Sequence, residues 1–84
     1  MNKVYQVQAR WDSEAGVWVA ESDDVPGLVA EAESPNILRE TLRVLIPELL
    51  DLNRVLEKSS APVQFSVRYR YEDSGVVAKS GNFR

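Results

Sequence analysis

The sequence predicts an α+β domain with the element order β-β-β-α-β, a mainly antiparallel sheet with one kinked helix packed on one face. Three observations lead there. Residues 3–11 and 63–71 alternate apolar and polar side chains with a period of two, the pattern of half-buried strands. Between Trp11 and Ala32, short apolar runs are separated by Asp12–Gly16 and Asp23–Gly27, both rich in turn formers. Beyond Ser34, leucines recur at spacings of four and three, the period of one helix face.

In the first strand Tyr5, Val7, Ala9 and Trp11 share one side, and Gln6, Gln8 and Arg10 the other. The turn residues Asp12 to Gly16 are of hairpin length, so the second strand, Val17 to Glu21, is expected to lie antiparallel to the first. That second strand is apolar on both faces, with Val17 and Val19 on one and Trp18 and Ala20 on the other, so one face asks for further cover. In Val25-Pro26-Gly27-Leu28, Pro26 presets φ and Gly27 accepts the positive φ of a type II turn. A third strand follows from Leu28 to Glu33, with Leu28, Ala30 and Ala32 on one face.

Ser34-Pro35 is a helix start: the Ser34 hydroxyl caps an orphan N–H and Pro35 suits the first helical position. Leu38, Leu42, Leu45, Leu49, Leu52 and Leu56 line one stripe, widened by Ile37, Ile46 and Leu50. Pro47 lacks the N–H that would reach Arg43, which in a regular helix costs about 3 kcal/mol. The expectation is a kink or break there, with a first helix to about Ile46 and a short second piece through Leu52. Lys58 to Pro62 reads as a loop, and Val63, Phe65, Val67, Tyr69 and Tyr71 as the apolar side of a fourth strand. Residues 1–72 therefore form the expected domain, and 73–84 a frayed tail or an exchanged edge strand.

The chain has 84 residues, a net charge of −3, no cysteine and no histidine. A domain of this length buries only about 60% of its unfolded surface, so stability is marginal and self-association is the ordinary remedy. Disulfides are excluded, and the commonest general base and soft nucleophile are both missing, which points away from an enzyme. No cofactor is implied. The segment MNKVYQVQARW has no continuous apolar stretch and nothing approaches the roughly 20 apolar residues of a membrane span, so the expectation is a cytoplasmic protein without membrane contact. The negative balance disfavours DNA as a direct partner and fits a basic protein better.

The chemistry-bearing residues left are acids. Asp12 with Glu14, and Asp23 with Asp24, sit where turns need them. Glu31 and Glu33 project opposite Ala30 and Ala32, onto either a plainly solvated face or a surface that meets a basic partner. The candidate partner-binding residues are Glu21, Asp23, Asp24, Glu31 and Glu33; Trp11, Gly16, Trp18, Pro26, Gly27, Ser34, Pro35 and Pro47 are the structural ones. Arg68 and Arg70 alternate with Tyr69 and Tyr71, so the tyrosines are expected in the core and the arginines paired with acids across the sheet. A Mg²⁺-dependent nuclease using Asp12 is a remote alternative, because two-metal sites need convergent carboxylates.

The stretches WDSEAGVWVAESDDVPGL and LIPELLDLN together resemble the domain of unknown function 1902 family, which is grouped with the amino-terminal domain of HicB-type antitoxins. The resemblance spans about residues 3–71. It implies a truncated ribonuclease-H-like fold without catalysis, and an antitoxin-like protein that binds and neutralises a small basic ribonuclease-type toxin. It also implies dimers. Many such antitoxins carry a carboxy-terminal DNA-binding domain, and the dozen residues after the fourth strand are too few for one. A homo-oligomeric structural domain is the alternative reading.

Overall fold

The computed structural model describes residues 3–53 and 62–78. In chain order they form β1 (Val4–Asp12), β2 (Val17–Glu21), β3 (Val29–Ala32), α1 (Pro35–Leu52) and β4 (Gln64–Arg70). The four strands make one sheet in the order β3-β2-β1-β4. Pairs β1–β2 and β2–β3 are antiparallel, and β4 returns parallel to β1. The sheet is thus mixed, mainly antiparallel, and the single parallel pair is reached by the α1 crossover that such a pairing requires.

Both expected turns form as the residue types dictate. Asp12 Oδ1 accepts from the backbone N–H of Glu14 at 3.1 Å and of Ala15 at 3.2 Å, and Gly16 takes a φ of 69° while its N–H donates to the Asp12 carbonyl. Gly27 takes a φ of 79°, and Leu28 N donates to the Val25 carbonyl at 3.2 Å. A positive φ at the third position under this bond is what a type II turn needs.

The helix begins where Ser34 accepts from Ile37 N at 3.2 Å, with Pro35 as its first residue. It runs unbroken through Pro47 to Leu52, so the expected break into two pieces does not occur. Fully buried Leu42, Ile46 and Leu50 straddle the proline. Each such burial contributes about 1.5–3 kcal/mol, enough to offset the lost hydrogen bond. The C-terminus is closed by Asn53, whose N–H reaches the Leu49 carbonyl at 3.0 Å and whose amide donates to the same carbonyl at 2.8 Å and to that of Pro26 at 3.4 Å. One side chain thereby ties the helix end to the Pro-Gly turn.

The buried helix line is Leu38, Leu42, Ile46 and Leu50, and it differs from the expected stripe. Leu45 and Leu49 are half-buried beside it, Ile37 is exposed and Leu52 is 78% exposed. Positions four apart advance about 40° around a helix at each step, so this line winds as the helix crosses a twisted sheet. Leu56, and the expected loop up to residue 61, lie outside the described residues.

Under the helix the sheet presents Ala20, Ala30 and Ala32, all buried, with Tyr5, Val7, Ala9, Val25 and Leu28 completing the core. α1 contacts β3 and β2. Small side chains there let the helix approach closely, and larger ones would be overpacked by about 1–3 kcal/mol. Among the described residues no helix is long and apolar enough to cross a membrane.

Leu42→Ala is expected to lower unfolding stability by about 2–5 kcal/mol, whereas Leu52→Ala should stay within about 0.5 kcal/mol of the parent. Urea titrations followed by circular dichroism read both, and equal losses would contradict the burial line.

Candidate partner-binding surface

The register sorts every strand residue onto the helix-covered inner face or the open outer face. On the outer face one row runs Val29, Glu21, Gln8 and Arg68, and the next runs Glu31, Val19, Arg10 and Arg70. The acids lie on β3 and β2, and the arginines on β1 and β4. This face is therefore split into an acidic half with Glu21 and Glu31, which the exposed Glu33 extends past β3, and a basic half with Arg10, Arg68 and Arg70. A recess of about 320 Å³ lies across the boundary, lined by Gln8, Arg10, Val19, Glu21, Arg68 and Arg70.

The expected pairing of Arg68 and Arg70 with acids across the sheet is not made. Gln8 separates Arg68 from Glu21, and Arg70 neighbours Arg10. Strands two apart in a sheet are about 9.6 Å apart, beyond ion-pair reach between facing side chains. Among the described residues the ion pairs are Lys3 with Asp24 at 3.9 Å and Arg43 with Glu40 at 3.8 Å. Only knowledge that β4 lies parallel to β1 would have brought the three arginines together beforehand.

The five candidate binding acids separate into two groups. Glu21, Asp23, Glu31 and Glu33 are exposed. Asp24 is partly buried and serves the fold, since its Oδ2 accepts from Gln6 N at 2.8 Å. Beside it the Ser22 hydroxyl donates to the Gln6 carbonyl and accepts from Asp24 N at 3.0 Å and Val25 N at 3.1 Å. β2 stops pairing with β1 at Glu21, and these two side chains satisfy the next β1 backbone groups in place of a strand. Sequence reasoning missed Ser22, although Ser followed by Asp-Asp before a turn is the pattern of a hydroxyl closing its own loop.

Trp11 and Trp18 face each other across β1 and β2 at 5.5 Å between ring centres, edge to face. Tyr69 meets Trp18 at 5.2 Å, and Tyr71 lies 6.3 Å from Trp18 and 6.4 Å from Trp11. Contrary to the core position expected of them, both tyrosines are exposed. The reason is the seat of α1: it lies over β2 and β3 and covers β4 only in part, so Phe65 and Val67 are also only half-buried. The Tyr69 hydroxyl donates to the Pro35 carbonyl at 3.4 Å.

The family model for the domain of unknown function 1902 matches residues 4–76. The chain belongs to this family. A solved structure, of hypothetical protein TTHA1013 from the extremely thermophilic bacterium Thermus thermophilus, is 41% identical, with a TM-score of 0.62 over 89% of this chain and 100% of that one. No curated protein matches. The α+β order of three strands, one helix and a fourth strand is the fold this member of the family adopts. Among the described residues, no group of three or more Asp or Glu side chains is placed to hold a metal ion, and Asp12 is engaged in its hairpin turn.

Ser22→Ala is expected to destabilise the domain by about 1–3 kcal/mol, since it strips a partner from Gln6, Asp24 and Val25. Glu31→Gln should leave stability within about 0.5 kcal/mol. Thermal melts of the two variants distinguish the structural from the exposed group; a melt unchanged by Ser22→Ala would refute its role.

Proposed function

We propose that this chain is a non-catalytic protein-binding domain, antitoxin-like, whose acidic sheet half takes up a small basic protein of the ribonuclease-toxin type in the cytoplasm. One observation carries the reading: the carboxylates of Glu21, Glu31 and Glu33 lie together on an open sheet face and make no ion pair among the described residues. Exposed like charges gathered on one surface raise the encounter rate with an oppositely charged partner. The resemblance to HicB-type antitoxins supplies the class of partner.

The basic half narrows the geometry. A cationic protein is drawn to the β3 edge and repelled from Arg10, Arg68 and Arg70, so its orientation is set as well as its rate of approach. Asp23 stands exposed beside the acidic half, while Asp24 serves the fold. Val29, 66% exposed among these acids, offers the apolar contact that steering charges alone do not provide.

Co-expression with the product of an adjacent short basic reading frame tests the assignment by capture and by rescue of growth. If that product neither co-purifies nor loses toxicity, the antitoxin reading is withdrawn. Changing Glu21, Glu31 and Glu33 together to Lys is expected to slow association about tenfold at low salt, and added salt should erase the difference. Surface plasmon resonance at two ionic strengths measures both.

A further inference from the structure

Because α1 rests on β2 and β3, the inner face opens between the helix flank and β4 into a groove of about 840 Å³. Its floor is apolar, with Phe65 and Val67 of β4, and its helix wall carries Arg39, Arg43 and Pro47. β4 is a terminal strand of the sheet, so along its outer side the backbone groups have no strand partner among the described residues. Exposed edges of this kind accept further strands.

From Tyr71 to Ala78 the chain continues past β4 without secondary structure and exposed at every residue. Val76 is 100% exposed and Val77 79%. The radius of gyration is 17.8 Å, against about 12 Å for a compact domain of this length. This arm carries two acids, Glu72 and Asp73, ahead of its valines, and so matches the two arginines and apolar floor of the groove in both charge and polarity.

We propose that residues 72–78 of one copy dock in the α1–β4 groove of a second copy. The arm adds main-chain hydrogen bonds along the free β4 edge and turns the residues of one strand face, Asp73 and Val77, inward, Val77 over Phe65 and Val67 and Asp73 toward Arg39 and Arg43. Its own groove is poorly placed to receive it. Tyr71 is held against Trp11 and Trp18, and the arm would have to reverse within the next few residues to run back along β4. A second copy needs no reversal, and a two-fold arrangement fills both grooves at once.

Sedimentation velocity on the full chain without any partner is expected to show a monomer–dimer equilibrium. Val76→Asp with Val77→Asp should raise the dissociation constant at least about tenfold with an unchanged circular dichroism spectrum, because both side chains are exposed. Arg39→Glu with Arg43→Glu should weaken the dimer, and adding Glu72→Arg and Asp73→Arg should restore it. The chain has no cysteine, so Arg39→Cys combined with Asp73→Cys should give a reducible covalent dimer on a gel. A parent chain that stays monomeric at all concentrations, a dimer indifferent to the valine changes, or a disulfide closed within one chain would each overturn the proposal. Binding of a basic protein is read separately and is untouched by these outcomes.

Discussion

Leu38, Leu42, Ile46 and Leu50 are seated on a sheet surface of alanines, Ala20, Ala30 and Ala32, and the position of this contact decides what the rest of the molecule can expose. Large side chains from the helix meet small ones from the sheet, so the two layers approach closely over β2 and β3. A single helix about 10 Å wide buries the inner face of β1 as well, but does not extend fully over the terminal strand β4, where Phe65 and Val67 stay half-buried. The half-covered inner side of β4, the exposed tyrosines and the groove beside Pro47 are all consequences of that one docking site.

The same asymmetry explains how so small a chain holds its edges. Where β2 ceases to pair with β1, Ser22 and Asp24 take over the backbone of Gln6. Where the helix ends, Asn53 binds the carbonyls of Leu49 and Pro26. Each is a polar side chain that completes a backbone group left over by secondary structure, and each lies close to the Pro-Gly corner. That corner is therefore a junction between sheet and helix as well as a turn.

On the outer face, no side-chain layer among the described residues mixes the charges. Apart from Asp12, which is held in its hairpin turn, the acids collect on β3 and β2 and the arginines on β1 and β4, and strand order keeps the two groups apart. Such a face has direction as well as charge, and a partner that meets it is oriented by both halves. The proposed docking of the arm beyond β4 into the groove beside the helix uses the opposite face and a different kind of contact: apolar with matched charges rather than purely electrostatic.

Local chemistry wrote much of this structure legibly. Period-two alternation marked β1 and β4, the Asp12–Gly16 and Pro26-Gly27 turns separated the first three strands, and Ser34-Pro35 opened the helix, because each of these depends on residues within a few positions of one another. The helix line was read less well: burial of Ile46 and Leu50 in preference to Leu45 and Leu49, and the passage through Pro47, follow from the twisted alanine surface beneath. The acidic residues of the outer face were visible, yet Asp24 could be separated from them only once Gln6 was found beside it. By itself, then, the sequence determined the order of elements, the turn geometry, the helix start and the family, all matters of short-range sterics and periodicity. Tertiary structure alone decided that β4 returns parallel to β1, which gathers Arg10, Arg68 and Arg70 and leaves them unpaired with the acids. It alone decided that the helix sits off-centre and opens a groove. Both depend on contacts between residues tens of positions apart, whose energies come from packing against one another and are absent from any local stretch of chain.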